Sequence, residues 1–294
     1  MTLEQLRIFV AVAEREHVTR AAADLNLTQS ATSAAVAALE ARHAVTLFNR
    51  VGRRIELTEA GQLFLAEARA VLARAASAET VLADLAGLKR GTLLLAASQT
   101  VSSYWLPPLM HRYRTRFPDI AMRLSIGNTE QVAAAVREGI ADLGFVEGAI
   151  DDPTLAATPA AEDELALVVA ADHPWAKTWP AGATDFRSTR WVLREQGSGT
   201  RAMFEEALLG LGIAIGDLDI ALELSSNEAV RSAVEAGAGA TVLSRLVTSA
   251  SVTAGTLVQI PAALRKRQFL TVRHRERHLT SAQREFLALV NEQP

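Results

Sequence analysis

The run Val18-Thr19-Arg20-Ala21-Ala22-Ala23-Asp24-Leu25-Asn26-Leu27-Thr28-Gln29-Ser30-Ala31-Thr32-Ser33-Ala34-Ala35-Val36-Ala37-Ala38-Leu39-Glu40 decides the architecture of the N-terminal third. Thr19 is placed to cap a brief helix that turns Ala21, Ala22 and Leu25 inward. Asn26-Leu27-Thr28 then forms a turn into a third, capped helix, in which Val36 and Leu39 continue the buried stripe. Upstream, Leu3, Leu6, Phe9, Val10 and Ala13 recur at helical spacing and give a first helix one apolar face that fades near Glu16. Short helices, a tight turn and a longer helix make a helix-turn-helix.

Working outward, Leu47-Phe48 adds core, and Arg50, Gly52, Arg53, Arg54 and Ile55 to Leu57 suit a two-stranded wing with an arginine tip. Thr58-Glu59 opens a long helix, flanked at its end by Gly87 and Gly91. Along it Phe64, Ala68, Val71, Ala75, Ala78, Leu82 and Leu85 alternate steps of four and three, which is a heptad seam and predicts dimerisation with close helix approach. From Thr92 onward, β-like runs alternate with helical ones: Leu93 to Ala97, Ala121 to Ile126, Leu143 to Val146, Leu165 to Ala170, Trp191 to Leu193, Ile220 to Leu224 and Thr241 to Ser244. That alternation predicts an α/β domain with parallel strands and helices on both faces. Its length is generous for one sheet and allows two lobes, with a crossover near Glu162 to Ala171 and a return near Gln268 to Val272.

The ordered residues Phe9, Ala21-Ala22, Leu25, Thr28-Gln29-Ser30-Ala31, Ser33, Val36, Leu39-Glu40, Leu47-Phe48, Arg50, Leu57-Thr58 and Ala60-Gly61 resemble the head motif of the LysR-type transcriptional regulators. The resemblance implies a winged helix-turn-helix, a dimerising linker helix and a two-lobed effector domain of the periplasmic-binding-protein type, usually assembled as a tetramer. The boundaries expected are 1–57 for the DNA-binding head, 58–90 for the linker and 91–294 for the effector domain. Lobe 1 takes about 91–162 and 268–294, and lobe 2 about 163–267. This chain departs from the family pattern at His43 and Ala44, where a leucine and a helix-ending glycine are usual, and at Thr46, where proline is common.

The first turns of a helix in the major groove face base edges, while its amides can bind phosphate. Thr28, Gln29, Ser30, Ser33 and Ala34 are therefore the expected contacts of the third helix. Gln29 can pair bidentately with adenine, Ser30 and Ser33 suit phosphate or an undiscriminating base contact, and Ala34 can touch a thymine methyl. Arg50, Arg53 and Arg54 would hold the backbone or enter the minor groove from the wing.

In a two-lobed sheet domain, ligands sit where strands end and helices begin. Three such junctions are rich in small polar residues: Ser98-Gln99-Thr100-Val101-Ser102, Gly127-Asn128-Thr129 and Gly197-Ser198-Gly199-Thr200-Arg201. The last is the strongest anion candidate, since its glycines let the backbone form a nest and its hydroxyls add donors; capping of a helix by Ser198 and Thr200 is the plain alternative. Arg201 in a first helical turn opposes the dipole, which a bound anion or a carboxylate would best explain. Glu147 beside such a pocket needs a positive partner, either Arg201 or a ligand amine. Asn227 adds to the cleft or caps a helix. Leu193 to Arg201, with Phe145-Val146-Glu147-Gly148, resembles the branch containing cysteine-metabolism, sulfite-sensing and carbon-fixation regulators, which implies a small oxyanion or phosphorylated metabolite as effector.

Composition narrows the alternatives. The chain of 294 residues has no cysteine, which removes disulfides, thiolate metal sites and cysteine nucleophiles. The longest apolar run, Leu165 to Ala171, cannot span a bilayer, and no export-type leader opens the sequence, so the expected location is the cytoplasm with no membrane partner. Net charge is −3, and residues 1–90 carry 11 basic and 10 acidic side chains, so charge alone does not argue for nucleic acid. An α/β enzyme acting on a phosphorylated small molecule at Gly197 to Arg201 is the rival reading. It lacks a phosphate-binding loop ending in Gly-Lys-Ser/Thr and a Gly-x-Ser-x-Gly elbow. His274 and His278 have helical ligand spacing but lie among Arg273, Arg275 and Arg277, whose charge repels a metal. Gly237-Ala238-Gly239 precedes a strand, the reverse of a dinucleotide turn, and a nucleoid packaging protein would need no cleft. The reading is a regulator without cofactor or metal, whose partners are promoter DNA, a small effector, RNA polymerase and further copies of itself.

Overall fold

The computed structural model describes residues 1–51, 54–85, 91–178, 183–262 and 264–292. It divides into two compact units, Met1–Ala86 with Glu138–Ile140, and Gly87–Arg137 with Ala141–Pro294. No helix among the described residues is long and apolar enough to cross a membrane.

The first unit opens with α1 (Leu3–Arg15), held by a reciprocal capping box between Thr2 and Gln5. Its apolar face buries Leu6, Phe9 and Val12. Helix α2 (Val18–Asp24) has His17 rather than Thr19 at its N-cap position, without a side-chain capping bond, because Glu16 takes a left-handed turn (φ 48°) and the helix restarts at once, leaving Thr19 exposed in its first turn. Helix α3 (Gln29–His43) begins at Thr28, whose hydroxyl accepts the Ala31 N–H. Thr32, fully buried, bonds back to the Thr28 carbonyl. Strands β1 (Phe48–Val51) and β2 (Arg54–Leu57) form the antiparallel wing. One oxygen of Glu40 accepts the N–H groups of both Leu47 (2.7 Å) and Phe48 (3.1 Å), so the end of α3 fixes where the wing begins.

Helix α4 (Glu59–Leu85) is capped by the Thr58 hydroxyl, which accepts the Gly61 N–H and donates to the Thr46 carbonyl. Gly61 is required by close approach, since a Cβ there would lie 2.2 Å from the Leu47 carbonyl oxygen. The heptad seam behaves in two ways. Phe64 and Ala68 are spent within the unit, against Leu6, Phe9, Leu39 and Leu47, with the Phe9 and Phe64 rings 4.8 Å apart. Val71 and Leu82 stay exposed on the single chain. A fully buried Phe such as Phe9 contributes about 2–3 kcal/mol, so the small head depends on α4 for its core.

The second unit contains both lobes. In chain order it runs β3 (Gly91–Ser98), α5 (Leu106–Arg116), β4 (Ile120–Gly127), α6 (Thr129–Glu138), β5 (Leu143–Glu147) and β6 (Leu155–Asp163), then β7 (Leu165–Ala170), α7 (Pro174–Lys177), β8 (Arg190–Arg194), α8 (Gly199–Gly210), β9 (Asp219–Leu224), α9 (Asn227–Glu235), β10 (Thr241–Ser244), α10 (Arg245–Ala254) and β11 (Leu257–Ile260), and returns through β12 (Arg267–His274) to α11 (Ser281–Asn291). The lobe 1 sheet has the order β4-β3-β5-β12-β6. Its first three strands are parallel, but β12 is antiparallel to both neighbours. Lobe 2 combines an antiparallel β10-β7-β11 sheet with a parallel β8-β9 pair, joined through Trp191 and Ala240. The expected all-parallel sheets are thus mixed, because each strand that crosses between lobes re-enters from the opposite end. Strands β6 and β11 were not foreseen: the middle of β6, Ala156 to Glu162, lies half-buried or exposed with no clean alternation, and β11 is only four residues long.

Helices α5 and α11 cover one face of the lobe 1 sheet, where Tyr113 packs on Phe286, and α6 covers the other with Val132 and Val136. In lobe 2, Trp191 packs on Phe204 of α8 on one side, while Val230 and Val247 of α9 and α10 fill the other.

The departure at Ala44 has a physical consequence. Ala44 ends α3 in the left-handed region (φ 50°), which costs an L-residue about 1–2 kcal/mol. Ala44→Gly removes that strain and should stabilise the protein by about 0.5–1 kcal/mol, read as an increased urea midpoint for the unit containing α3.

Candidate functional site

Two surfaces answer the expectations, one on each unit. On the first, Thr28, Gln29, Ser30 and Ala34 are exposed and Ser33 is half-buried. Thr28 is committed locally: its hydroxyl caps α3 and lies 3.1 Å from the Ser30 hydroxyl. Gln29 has no such commitment and projects from the first turn. Arg50 and Arg54 fall on β1 and β2, whereas Arg53 lies outside the described residues.

On the second unit, the polar junctions converge at the C-terminal ends of β3, β4, β5, β8 and β9, and helices start after β3, β4, β8 and β9. Glu147, buried at the end of β5, is the centre. Ser98 donates to one of its carboxylate oxygens and Thr100 to the other (3.2 Å). Thr129 donates to the Glu147 carbonyl at 2.8 Å. Asn227 at the start of α9 donates to the Thr100 hydroxyl (3.0 Å), and its backbone N–H donates to Gln99 (2.9 Å). Gln99 in turn donates to the Ser225 carbonyl, and Ser102 donates back to the Gln99 carbonyl at 3.0 Å. Asn128 reaches the Gln196 carbonyl at 3.3 Å. Loops of lobe 1 are thereby stitched to the N-termini of α8 and α9 in lobe 2.

Helix α8 seats against β5 only because residue 199 is glycine. A Cβ there would lie 1.9 Å from the Glu147 carbonyl oxygen. Ser198 occupies the capping position of α8 but makes no side-chain capping bond, so its buried hydroxyl is not explained by capping. The Thr200 hydroxyl accepts from Arg267 at 2.9 Å.

The charges are paired differently from the sequence expectation. Arg201 does not await an anion: it binds Glu205 at 2.7 Å, Glu223, and the Arg194 carbonyl at 3.0 Å. Burial opposes its charge, but those two carboxylates outweigh burial and raise its pKa. Nor does Arg201 neutralise Glu147. The cation nearest Glu147 is Arg267, at 3.9 Å, which also pairs with Asp163 at 2.7 Å. Asp163 accepts the Ser244 hydroxyl at 2.7 Å. Arg194, also buried, donates to the Asn227 side chain and to Glu195. Burial would raise the Glu195 carboxyl, yet the Arg194 guanidinium holds it below the ordinary carboxylate range.

Arg267, Asp163 and Arg194 are the residues that sequence reasoning missed. The sequence reading gave no role to Arg265-Lys266-Arg267 or to Glu162-Asp163-Glu164 beyond their place near the crossovers. The available signal was that these runs are complementary and flank the two crossovers. Asn227→Ala would strip Arg194 of an acceptor and Thr100 of a donor inside the protein. It should cost about 2 kcal/mol in thermal or urea unfolding and speed amide exchange at Gln99 and Thr100.

Comparison with known proteins bears on both units. Residues 3–62 match a family model described as "Bacterial regulatory helix-turn-helix protein, lysR family", and residues 86–294 match one described as "LysR substrate binding domain". The chain is 36% identical over 289 residues to the "Uncharacterized HTH-type transcriptional regulator YeiE" of Escherichia coli strain K12, covering 98% of this chain and 96% of that one. It is 34% identical over 286 residues to a "Probable RuBisCO transcriptional regulator" of Cyanidioschyzon merolae, covering 96% and 94%. Among solved structures, full-length CbnR complexed with its target DNA superposes with a TM-score of 0.69 at 25% identity, covering 99% of both chains. The regulatory domain of Synechocystis PCC6803 CcmR in complex with 2-PG superposes at 0.62 and 25% identity, covering 69% of this chain and 96% of that one.

Proposed function

The chain belongs to the LysR family and is a DNA-binding transcriptional regulator rather than an enzyme, and from that premise we propose how its named residues divide the work. The N-terminal turns of α3 enter the major groove, with Gln29 reading a base edge, Ser30 and Ser33 meeting phosphate or base, Ala34 against a thymine methyl, and Thr28 setting the helix start. Arg50, Arg53 and Arg54 hold the backbone from the wing. The observation that carries this is the exposure of Gln29, Ser30 and Ala34 on a helix whose opposite side, at Leu39, is fully buried. A CbnR structure solved with its target DNA supports the same use of the fold.

The effector site comprises Ser98, Gln99, Thr100, Ser102, Asn128, Thr129, Glu147, Gly197, Ser198, Thr200 and Asn227, where two lobes meet at helix N-termini. Its ligand is a small oxyanion or phosphorylated metabolite. Backbone amides at the start of α8 and the uncapped Ser198 hydroxyl support this, as does the 2-PG complex of CcmR. A ligand that binds one lobe arrangement better shifts the population toward it, and so changes the DNA contacts and the contact with RNA polymerase. The exposed Val71 and Leu82 of the α4 seam support pairing of two copies, and a pair of such dimers makes the tetramer. The protein works in the cytoplasm, where promoter DNA is. Residues 1–57, 58–90 and 91–294 act as head, linker and sensor.

A mobility-shift titration on the promoter of the neighbouring gene tests the wing. Replacing Arg53 and Arg54 by alanine should weaken binding uniformly across sequences and lower the salt slope by about 2. Unchanged binding would remove the wing from the interface.

A further inference from the structure

Val101–Trp105 make a single π-helical turn directly after the loop that carries Gln99 and Thr100. Such turns are rare and collect at functional positions. Here two consecutive side chains enter different cores. Trp105 packs in lobe 1, its ring 6.0 Å from Phe145 and 5.8 Å from Phe269, whereas the half-buried Tyr104 packs on the lobe 2 cluster that contains Val192, Val230 and Leu243. One short turn is thus anchored in both lobes.

The Tyr104 hydroxyl donates to one carboxylate oxygen of Glu228 on α9 at 3.2 Å, and Ser226 donates to the other at 3.3 Å. Burial, and after it the Glu228 charge, push the phenol above its ordinary range, so it keeps its proton and donates at neutral pH. Glu228 also has a cation on its own helix. Arg231 lies three positions on, at the spacing where an acid and a base on one helix meet, and its charge is felt at Tyr104. Yet the buried Nε of Arg231 has no hydrogen-bond partner among the described residues. A buried donor left unpaired is unfavourable. Glu228 therefore stands between two donors, one from each lobe, and in this arrangement Tyr104 holds it.

We infer that Tyr104, Glu228 and Arg231 form an exchange latch between the lobes: Tyr104 holds Glu228 while the lobes are engaged, and Arg231 takes it over when they part. This rests on the reading of the sensor as two lobe arrangements in equilibrium given above. Engagement leaves a guanidinium donor unanswered, and release returns the phenol to water while giving Arg231 its acceptor. The two arrangements are thereby brought closer in energy, so a ligand on the adjoining loop needs less differential affinity to decide between them.

Hydrogen–deuterium exchange of the full-length protein without ligand tests the latch, because two backbone amides donate from one lobe to the other. Asn227 donates to the Gln99 side chain at 2.9 Å, and Glu130, at a different junction on α6, donates to the Gly197 carbonyl at 3.4 Å. Tyr104→Phe keeps the ring and removes the donor; it should speed exchange at both amides by about fivefold. Arg231→Met keeps the aliphatic stem and removes the competing donor; it should slow exchange at both by about twofold. Both variants should melt near wild type. Opposite signs are the signature, since a role limited to packing would move the two variants the same way. Acceleration confined to α9 with Glu130 unmoved, or the same direction in both variants, overturns the latch and leaves the two-arrangement reading in place. Gly199→Ala, whose Cβ would lie 1.9 Å from the Glu147 carbonyl oxygen and drive α8 off β5, should accelerate both amides together. If Asn227 and Glu130 move independently there too, the latch and the two-arrangement reading both fall.

Discussion

The ion pair between Arg267 and Asp163 is the constraint on which the sensor depends. Both side chains are almost completely withdrawn from water, at 1% and 2% exposure, and desolvating two such charges costs several kcal/mol per ion. The cost is offset by further bonds: Asp163 accepts Ser244, and Arg267 donates to Thr200 while standing near Glu147. The two residues face each other across β6 and β12, the strands that carry the chain out of lobe 1 and back into it. One pair therefore fixes both crossovers, and through Thr200 it reaches the first turn of α8, where the proposed effector site begins.

Close backbone approach makes that arrangement possible. With no side chain at Gly199, the start of α8 rests on the end of β5, and Thr129 can reach the Glu147 carbonyl from α6. The hydroxyls and amides that would recognise a ligand are thus held by bonds crossing from one lobe to the other, among them Asn227 to Thr100 and Asn128 to Gln196. Few of these bonds lie within a single loop, so a change in lobe arrangement must remake several together. Such all-or-none coupling suits a sensor whose output is a shift between two populations.

The DNA-reading unit is built on a separate economy. Its core is small, and Phe9, Leu39 and Leu47 close it only with help from Phe64 and Ala68 on α4. The linker helix is therefore part of the head for its first turns and becomes available to another chain only beyond them. Glu40 transmits the position of α3 to the wing through two backbone amides, which keeps that helix and the two strands in one geometry.

The helix-turn-helix, the wing, the long helix and seven of the ten strands among the described residues of the second unit were legible in the sequence, since periodicity, caps and turn residues act over a few positions. Thr28 and Thr58 announced their helices because a cap is a local bond. The polar junctions at Ser98, Asn128, Gly197 and Asn227 were legible for the same reason: strand ends are marked locally, and topology brings them together. The pairing of charges was not. Asp163 and Arg267 lie 104 positions apart, and Ser98 and Glu147 lie 49 apart, so nothing near either residue says which partner it meets. By itself the sequence determined the elements and the family of the fold; the tertiary structure alone decided that Arg201 is spent on Glu205 and Glu223 while Arg267 stands at the site, because burial and long-range contact decide which charges are already answered.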